Sequence, residues 1–194
     1  YESFCFGPII GYEGRNWLKS TNGNLSSNGK GTSEQKTGAE QIKGMAYSYN
    51  IQANITDVGN QRISSSARTI VHPASFYIGI SNMKNIKKKK KKGETIDFDY
   101  ICITPDENIP NQSVINEKAK LKIELLREDW KQIQQIGVNG EINTRYQREM
   151  ITELERYEAL NIGNFSKVSI KPEKGGSYLL RLSSFDKKGK DVIT

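Results

Sequence analysis

Residues 61–80, QRISSSARTIVHPASFYIGI, run an alternating strand into the chain's single His-Pro pair and straight on into a second apolar strand. Pro73 has no N–H to give a sheet ladder and pushes His72 toward extended geometry, so the chain can leave one sheet here and enter another without coiling. The stretch reads as a short, stiff joint between two β units, residues 1–72 and residues 73–194.

Upstream of the joint, MAYSYNIQANITDV (45–58) places Tyr47, Tyr49, Ile51, Ala53 and Ile55 on one face and Ser48, Asn50, Gln52 and Asn54 on the other. That is the period of a half-buried strand. DVGNQ (57–61) is a hairpin turn in which Gly59 and Asn60 tolerate positive φ, and RISSSARTIV (62–71) is the returning partner. Residues 1–18 read as two short strands around a turn, with Tyr12 and Trp17 as core candidates. Residues 20–44 are rich in Gly, Ser, Asn, Thr and Lys and read as exposed loops with at most one weak strand.

Downstream, SFYIGIS (75–81) sets Phe76, Ile78 and Ile80 on one face, and ETIDFDYICIT (94–104) sets Ile96, Phe98, Tyr100 and Cys102 against Thr95, Asp97, Asp99 and Ile101. AKLKIELLREDW (119–130) continues through Leu121, Ile123 and Leu125, with Trp130 as an anchor at its end. NFSKVSIKP, SYLLRLSSFD and KKGKDVIT supply three last β segments, with Tyr178, Leu180 and Leu182 alternating. Residues 141–160 fit two periods: Tyr146, Met150, Leu154 and Tyr157 lie at helical spacing, while Ile142, Thr144, Tyr146, Met150, Thr152 and Leu154 fit one strand face. Many short strands with Gly, Pro and Asn turns, and no βαβ rhythm, predict an all-β chain of two tandem antiparallel β-sandwiches.

The bulk numbers narrow the function. Lys87 to Lys92 supply six of the formal +7 charge and leave the rest of the chain near +1, so the basic balance is local and no nucleic-acid surface is expected. No segment is apolar enough to span a bilayer, and Tyr1 opens inside what reads as a strand, so a signal or membrane anchor is expected outside this fragment. Cys5 and Cys102 flank the joint in no CxxC or Cys/His cluster and read as two small buried apolar residues rather than a disulfide.

His72 is the only histidine, which leaves a metal triad or a Ser-His-Asp set short of residues. No enzyme, catalytic residue, cofactor or metal is expected, and His72 reads as satisfying a neighbouring backbone carbonyl. Asp97 and Asp99, with Asp106 and Glu107 in the next turn, could offer oxygens to a hard cation but lack the spacing of a calcium loop, and solvated carboxylates are the better reading. Lys84 and Lys87 to Lys92 could attract phosphate, anionic lipid or acidic polysaccharide, against the simpler reading of a solvated, self-repelling loop.

Taken in order, Asn54 to Asp57 before a turn, the Ser-Ala-Arg strand, VHPASFYIGI (71–80), KKGETIDFDYICIT (91–104), LLREDW (125–130) and GGSYLLRLSSFDKKGK (175–190) resemble the body of bacterial α2-macroglobulins. The likeness runs from about Tyr47 to Thr194 and implies two consecutive fibronectin-III/immunoglobulin-like (macroglobulin) sandwiches upstream of the bait region. It also places a long strand over 141–160. It implies a scaffold fragment of a secreted or envelope-anchored endopeptidase inhibitor, with endopeptidases and neighbouring macroglobulin domains as partners. Thr32-Ser33-Glu34-Gln35 shares Glu-Gln with the family's thioester sequence but has no cysteine, so no thioester can form there. The lysine run and residues 20–44 depart from the family pattern. Apart from the resemblance, tandem sandwiches also suit an adhesion or ligand-binding module of a cell-surface protein.

Overall fold

A computed structural model of the chain describes residues 3–7, 19–36, 45–81, 89–105 and 118–194. Ten strands lie among them: β1 (Cys5–Phe6), β2 (Tyr47–Thr56), β3 (Arg62–Val71), β4 (Tyr77–Ile80), β5 (Ile96–Ile103), β6 (Lys120–Ile136), β7 (Ile142–Ala159), β8 (Phe165–Ile170), β9 (Ser177–Phe185) and β10 (Asp191–Ile193). Tyr12 and Trp17 fall outside the described residues, and residues 19–36 form an exposed segment without strands.

Downstream of Pro73 two four-stranded antiparallel sheets, ordered β1-β4-β5-β8 and β10-β9-β6-β7, face each other. One set of side chains fills the space between them. Phe76, Ile78, Ile80, Ile96, Phe98, Tyr100 and Cys102 come from the first sheet and its lead-in, and Leu121, Ile123, Leu125, Tyr178, Leu180, Leu182 and Val192 from the second. Apart from Val192, these are the residues whose alternation marked them in the sequence, because each strand shows one face to the opposite sheet. β1 is hydrogen-bonded to β4 with Cys5 opposite Ile80 and Phe6 opposite Gly79, so residues 5 and 6 side with the downstream sandwich.

One turn closes four chain reversals: Ser26–Lys30, Asp57–Gln61, Gly137–Glu141 and Asp186–Lys190. In each, the first residue's carbonyl accepts the N–H of the fourth and its own N–H donates to the carbonyl of the fifth. The fourth residue must be left-handed, at φ 74, 62, 78 and 75° for Gly29, Asn60, Gly140 and Gly189, which only Gly and Asn accept cheaply.

Residues 141–160 hold strand β7 (Ile142–Ala159), not a helix. It pairs with β6 from Lys120↔Ala159 to Ile136↔Ile142, with a bulge where Leu125 faces Leu154 and Leu126 faces Thr152. Glu153 is the extra residue, and it reverses which side chains share a face. The single face expected for Ile142 through Leu154 is therefore split: Leu154 lies on the core side, and Ile142, Thr144, Tyr146, Met150 and Thr152 on the other.

β9 stops at Ser177, opposite Glu128, so β6 and β7 continue alone from Asp129↔Glu149 to Ile136↔Ile142. These eight pairs make a two-stranded arm roughly 26 Å long. Trp130 stands on it 58% exposed and anchors no core, since among the described residues no second sheet reaches that far. β2 and β3 form a separate two-stranded sheet in the expected register, Tyr47↔Val71 to Thr56↔Arg62. Its apolar face is more open than expected, with Ile51 58% and Ile63 73% exposed.

Candidate functional site

Three places bring polar side chains from distant parts of the sequence together. The first is the joint itself. His72 Nδ1 lies 3.1 Å from the Tyr77 hydroxyl, and the two rings meet edge-on at 5.5 Å. The partner is a tyrosine side chain rather than the expected backbone carbonyl, because the chain bends over residues 73–75 and brings Tyr77, at the start of β4, back beside the His72 ring. Burial pushes the Tyr77 phenol up to about 12, which keeps it neutral.

Two residues past Pro73, Ser75 donates its N–H (3.1 Å) and its hydroxyl (2.9 Å) to Oδ2 of Asp186. Oδ1 of the same carboxylate accepts the N–H groups of Lys188 and Lys190, both at 2.9 Å. Asp186 is 1% exposed, and four donors replace the water it has lost. The sequence reading missed it. Its signal was Asp at the head of the Asp-Lys-Lys-Gly turn, where a carboxylate caps its own backbone.

On the outer face of the second sheet Glu124, 4% exposed, receives Arg181 Nε and Nη2 at 2.7 and 2.9 Å and Lys122 Nζ at 2.9 Å. Lys122 also reaches Glu155 at 3.0 Å, and Arg127 pairs with Glu153 at 3.0 Å. The Arg181 hydrogen bonds, opposed by burial and aided by Lys122, hold the Glu124 carboxyl below the usual carboxylate range.

The third place is the lysine run. Lys90 is not a solvated loop residue: it is 8% exposed, its ammonium lies 3.3 Å from Glu94, and it pairs by backbone with Gly176. A loop hydrogen-bonded on both sides cannot simply repel itself into solvent. Lys89, Lys91 and Lys92 are exposed, whereas Lys84, Lys87 and Lys88 lie outside the described residues.

Asp97 and Asp99 point away from the core as expected, Asp97 accepting the Ser169 hydroxyl and Asp99 the Ser81 hydroxyl at 3.4 Å. Asp106 and Glu107 lie outside the described residues. Among the described residues no three His, Cys, Asp or Glu side chains gather as a metal set would. Cys5 and Cys102 are both free thiols, but only Cys102 is buried as expected; Cys5, on the two-residue strand β1 at the edge of its sheet, is exposed.

No family model matches the chain. Nor does any protein with a curated description. Solved structures do match: a Salmonella α2-macroglobulin reacted with methylamine superposes on 100% of this chain with a TM-score of 0.60 at 16% identity. The native conformation of the E. coli α2-macroglobulin gives 0.59 and a mutant of the Salmonella protein 0.61, each at 16% identity over 100% of this chain. The fold is macroglobulin-like. This chain spans 13% of the Salmonella chains and 12% of the E. coli chain. The macroglobulin-like fold takes in the whole sequence, so the order of strands and turns that carried the resemblance is also an order in space.

Proposed function

We propose that this chain is a scaffold segment of a bacterial α2-macroglobulin-like, broad-spectrum endopeptidase inhibitor. Residues 1–72 and 73–194 act as consecutive macroglobulin-like units, with β1 reaching across to the edge of the second. The observation that carries this reading is the superposition of the whole chain on bacterial α2-macroglobulins at a TM-score of 0.60. In such a protein an endopeptidase would cut an exposed bait and be enclosed by the rearranged molecule. This segment's part would be mechanical, a stiff body that holds neighbouring domains in place, with no catalytic step of its own. Its setting would be the cell envelope or the secreted fraction, with any membrane anchor elsewhere in the polypeptide.

The test is a trapping assay on the full-length protein. After mixing with several endopeptidases, activity toward a large protein substrate should fall while activity toward a small chromogenic peptide persists. Retention of both activities would overturn the reading and leave a cell-surface adhesion module in its place.

A further inference from the structure

Two loops meet at the end of the sandwich from which the β6–β7 arm departs. One is the lysine run leading into β5; the other is the turn joining β8 to β9. Lys90 N–H donates to Gly176 carbonyl at 2.8 Å and Gly176 N–H returns to Lys90 carbonyl at 2.9 Å, while Gly93 N–H reaches Pro172 carbonyl at 3.3 Å. Gly175 permits the approach, because a Cβ there would stand 3.1 Å from the Lys90 oxygen. The loops are thus clamped at fixed separation, and between them lies an open hollow of about 490 Å³ lined by Lys92, Gly93, Lys171, Pro172, Glu173 and Lys174.

We infer that this hollow is a binding site for a phosphate-bearing group, a role separate from the scaffold function and independent of it. Lys92, Lys171 and Lys174 line it and are exposed, and Lys89 and Lys91, exposed as well, precede Lys92 in the chain. Lys92 is brought to one rim with Lys171 and Lys174, 79 and 82 residues later in the sequence, by the backbone clamp, which the isolated run did not reveal. The carboxylates do not cancel them. Glu94 is already taken by the Lys90 ammonium and the Lys91 N–H at 3.1 Å, so among the described lining residues Glu173 alone opposes the lysines.

The donor set suits an anion held by charge rather than by a planar fork. Ammonium groups hold phosphate as point charges, whereas an arginine would grip phosphate, carboxylate or a guanine edge bidentately. Among the described residues the lining holds no arginine, and Arg127, whose stem packs on Gly176, turns its guanidinium to Glu153 at 3.0 Å and Asp129 at 3.6 Å. Among the described residues no aromatic ring lines the hollow for a base to stack on. Its volume suits a small headgroup or phosphorylated sugar.

The test titrates the whole chain with inositol hexakisphosphate, and in parallel measures co-sedimentation with phosphatidylcholine vesicles with and without phosphatidylglycerol. Lys92→Ser/Lys171→Ser/Lys174→Ser removes the rim; Lys187→Ser/Lys188→Ser/Lys190→Ser removes the same charge from the turn at the opposite end. The rim variant should bind about tenfold more weakly and show a shallower salt dependence, with the control variant close to wild type. Binding to vesicles alone identifies a lipid headgroup as the source, and binding to hexakisphosphate alone a soluble phosphate ester; either supports the site. Equal losses in the two variants, or no binding of either probe at low salt, overturns it. So does tighter binding of a single-stranded oligonucleotide that the rim variant abolishes, which would make the patch a nucleic-acid surface.

Discussion

Glu124 shows how one buried charge depends on its neighbours. It sits among Arg181 and Lys122 on the outer face of the second sheet, and replacing it by Gln removes the charge while keeping the shape. At neutral pH Glu124→Gln should cost about 1–3 kcal/mol, the range for hydrogen bonds to charged groups. The pH dependence follows from the direction of its shift. The folded state holds the carboxyl below its ordinary value of 4.5, so this stabilisation is complete above that value and is lost as the pH falls through the lower folded one. Urea titrations at neutral and acid pH should show the gap between wild type and Glu124→Gln closing in acid; a gap independent of pH would dismiss the carboxylate as its source. The two cysteines divide as sharply. Burial pushes the Cys102 thiol up to about 12, leaving almost no thiolate, while Cys5 is exposed. Iodoacetamide on the native chain should alkylate Cys5 and spare Cys102 until denaturant is added, as peptide mass spectrometry would record.

Element by element, the sequence was legible wherever a strand faces a sheet across the core. Ile96, Phe98, Tyr100 and Cys102 alternated because they face the opposite sheet while Asp97 and Asp99 face away, and the structure buries all four to 1% exposure or less; Ile101, on the other face, is buried too, at 2%. Trp130, Tyr146 and Ile142 alternate as well, yet lie on the arm and stay exposed. Alternation reports which side chains share a face, and it is silent on whether another layer meets that face. The bulge at Glu153 was hidden for a related reason: an extra residue changes the parity without changing the composition. If the arm adds no core, replacing residues 131–147 by Asn-Gly should change sandwich stability by less than about 1 kcal/mol, read from chemical denaturation. A larger loss would mean that the arm packs on something. Gly79 makes the opposite case, a small residue whose space is already used. A Cβ there would meet the Phe6 ring at 2.6 Å, so Gly79→Ala should displace β1 and cost about 1–3 kcal/mol by overpacking. In a Phe6→Ala background the same change should cost much less, and the thermal melts of the four-member cycle would show that coupling; additive effects would exclude the ring as the cause.

At the scale of the molecule the question is whether the two sides of Pro73 unfold together. The sandwich side has a continuous core, and Asp186 fastens Ser75 to the far end of β9, so the chain just past the joint cannot open without disturbing that core. On the other side, the described strands β2 and β3 hold ten paired positions, and beyond Tyr47, Tyr49 and Val71 every one of their residues is exposed. A two-stranded sheet with so little buried surface opens at small cost, because its hydrogen bonds exchange for water and little apolar area is released. Native-state hydrogen exchange in increasing urea separates the two cases. Amides of β2 and β3 should exchange faster than those of β5, β6 and β9, with a shallow dependence on urea that reflects the small area exposed. Amides such as Ile123 and Leu182 should exchange only through global unfolding, with the full slope. A common rate and slope on both sides of His72 and Pro73 would mean that the chain unfolds as one unit, and the division at the joint would fall. Distinct slopes would make it a mechanical boundary, where a stiff sandwich carries an independently yielding ribbon, as a scaffold that passes on a rearrangement requires.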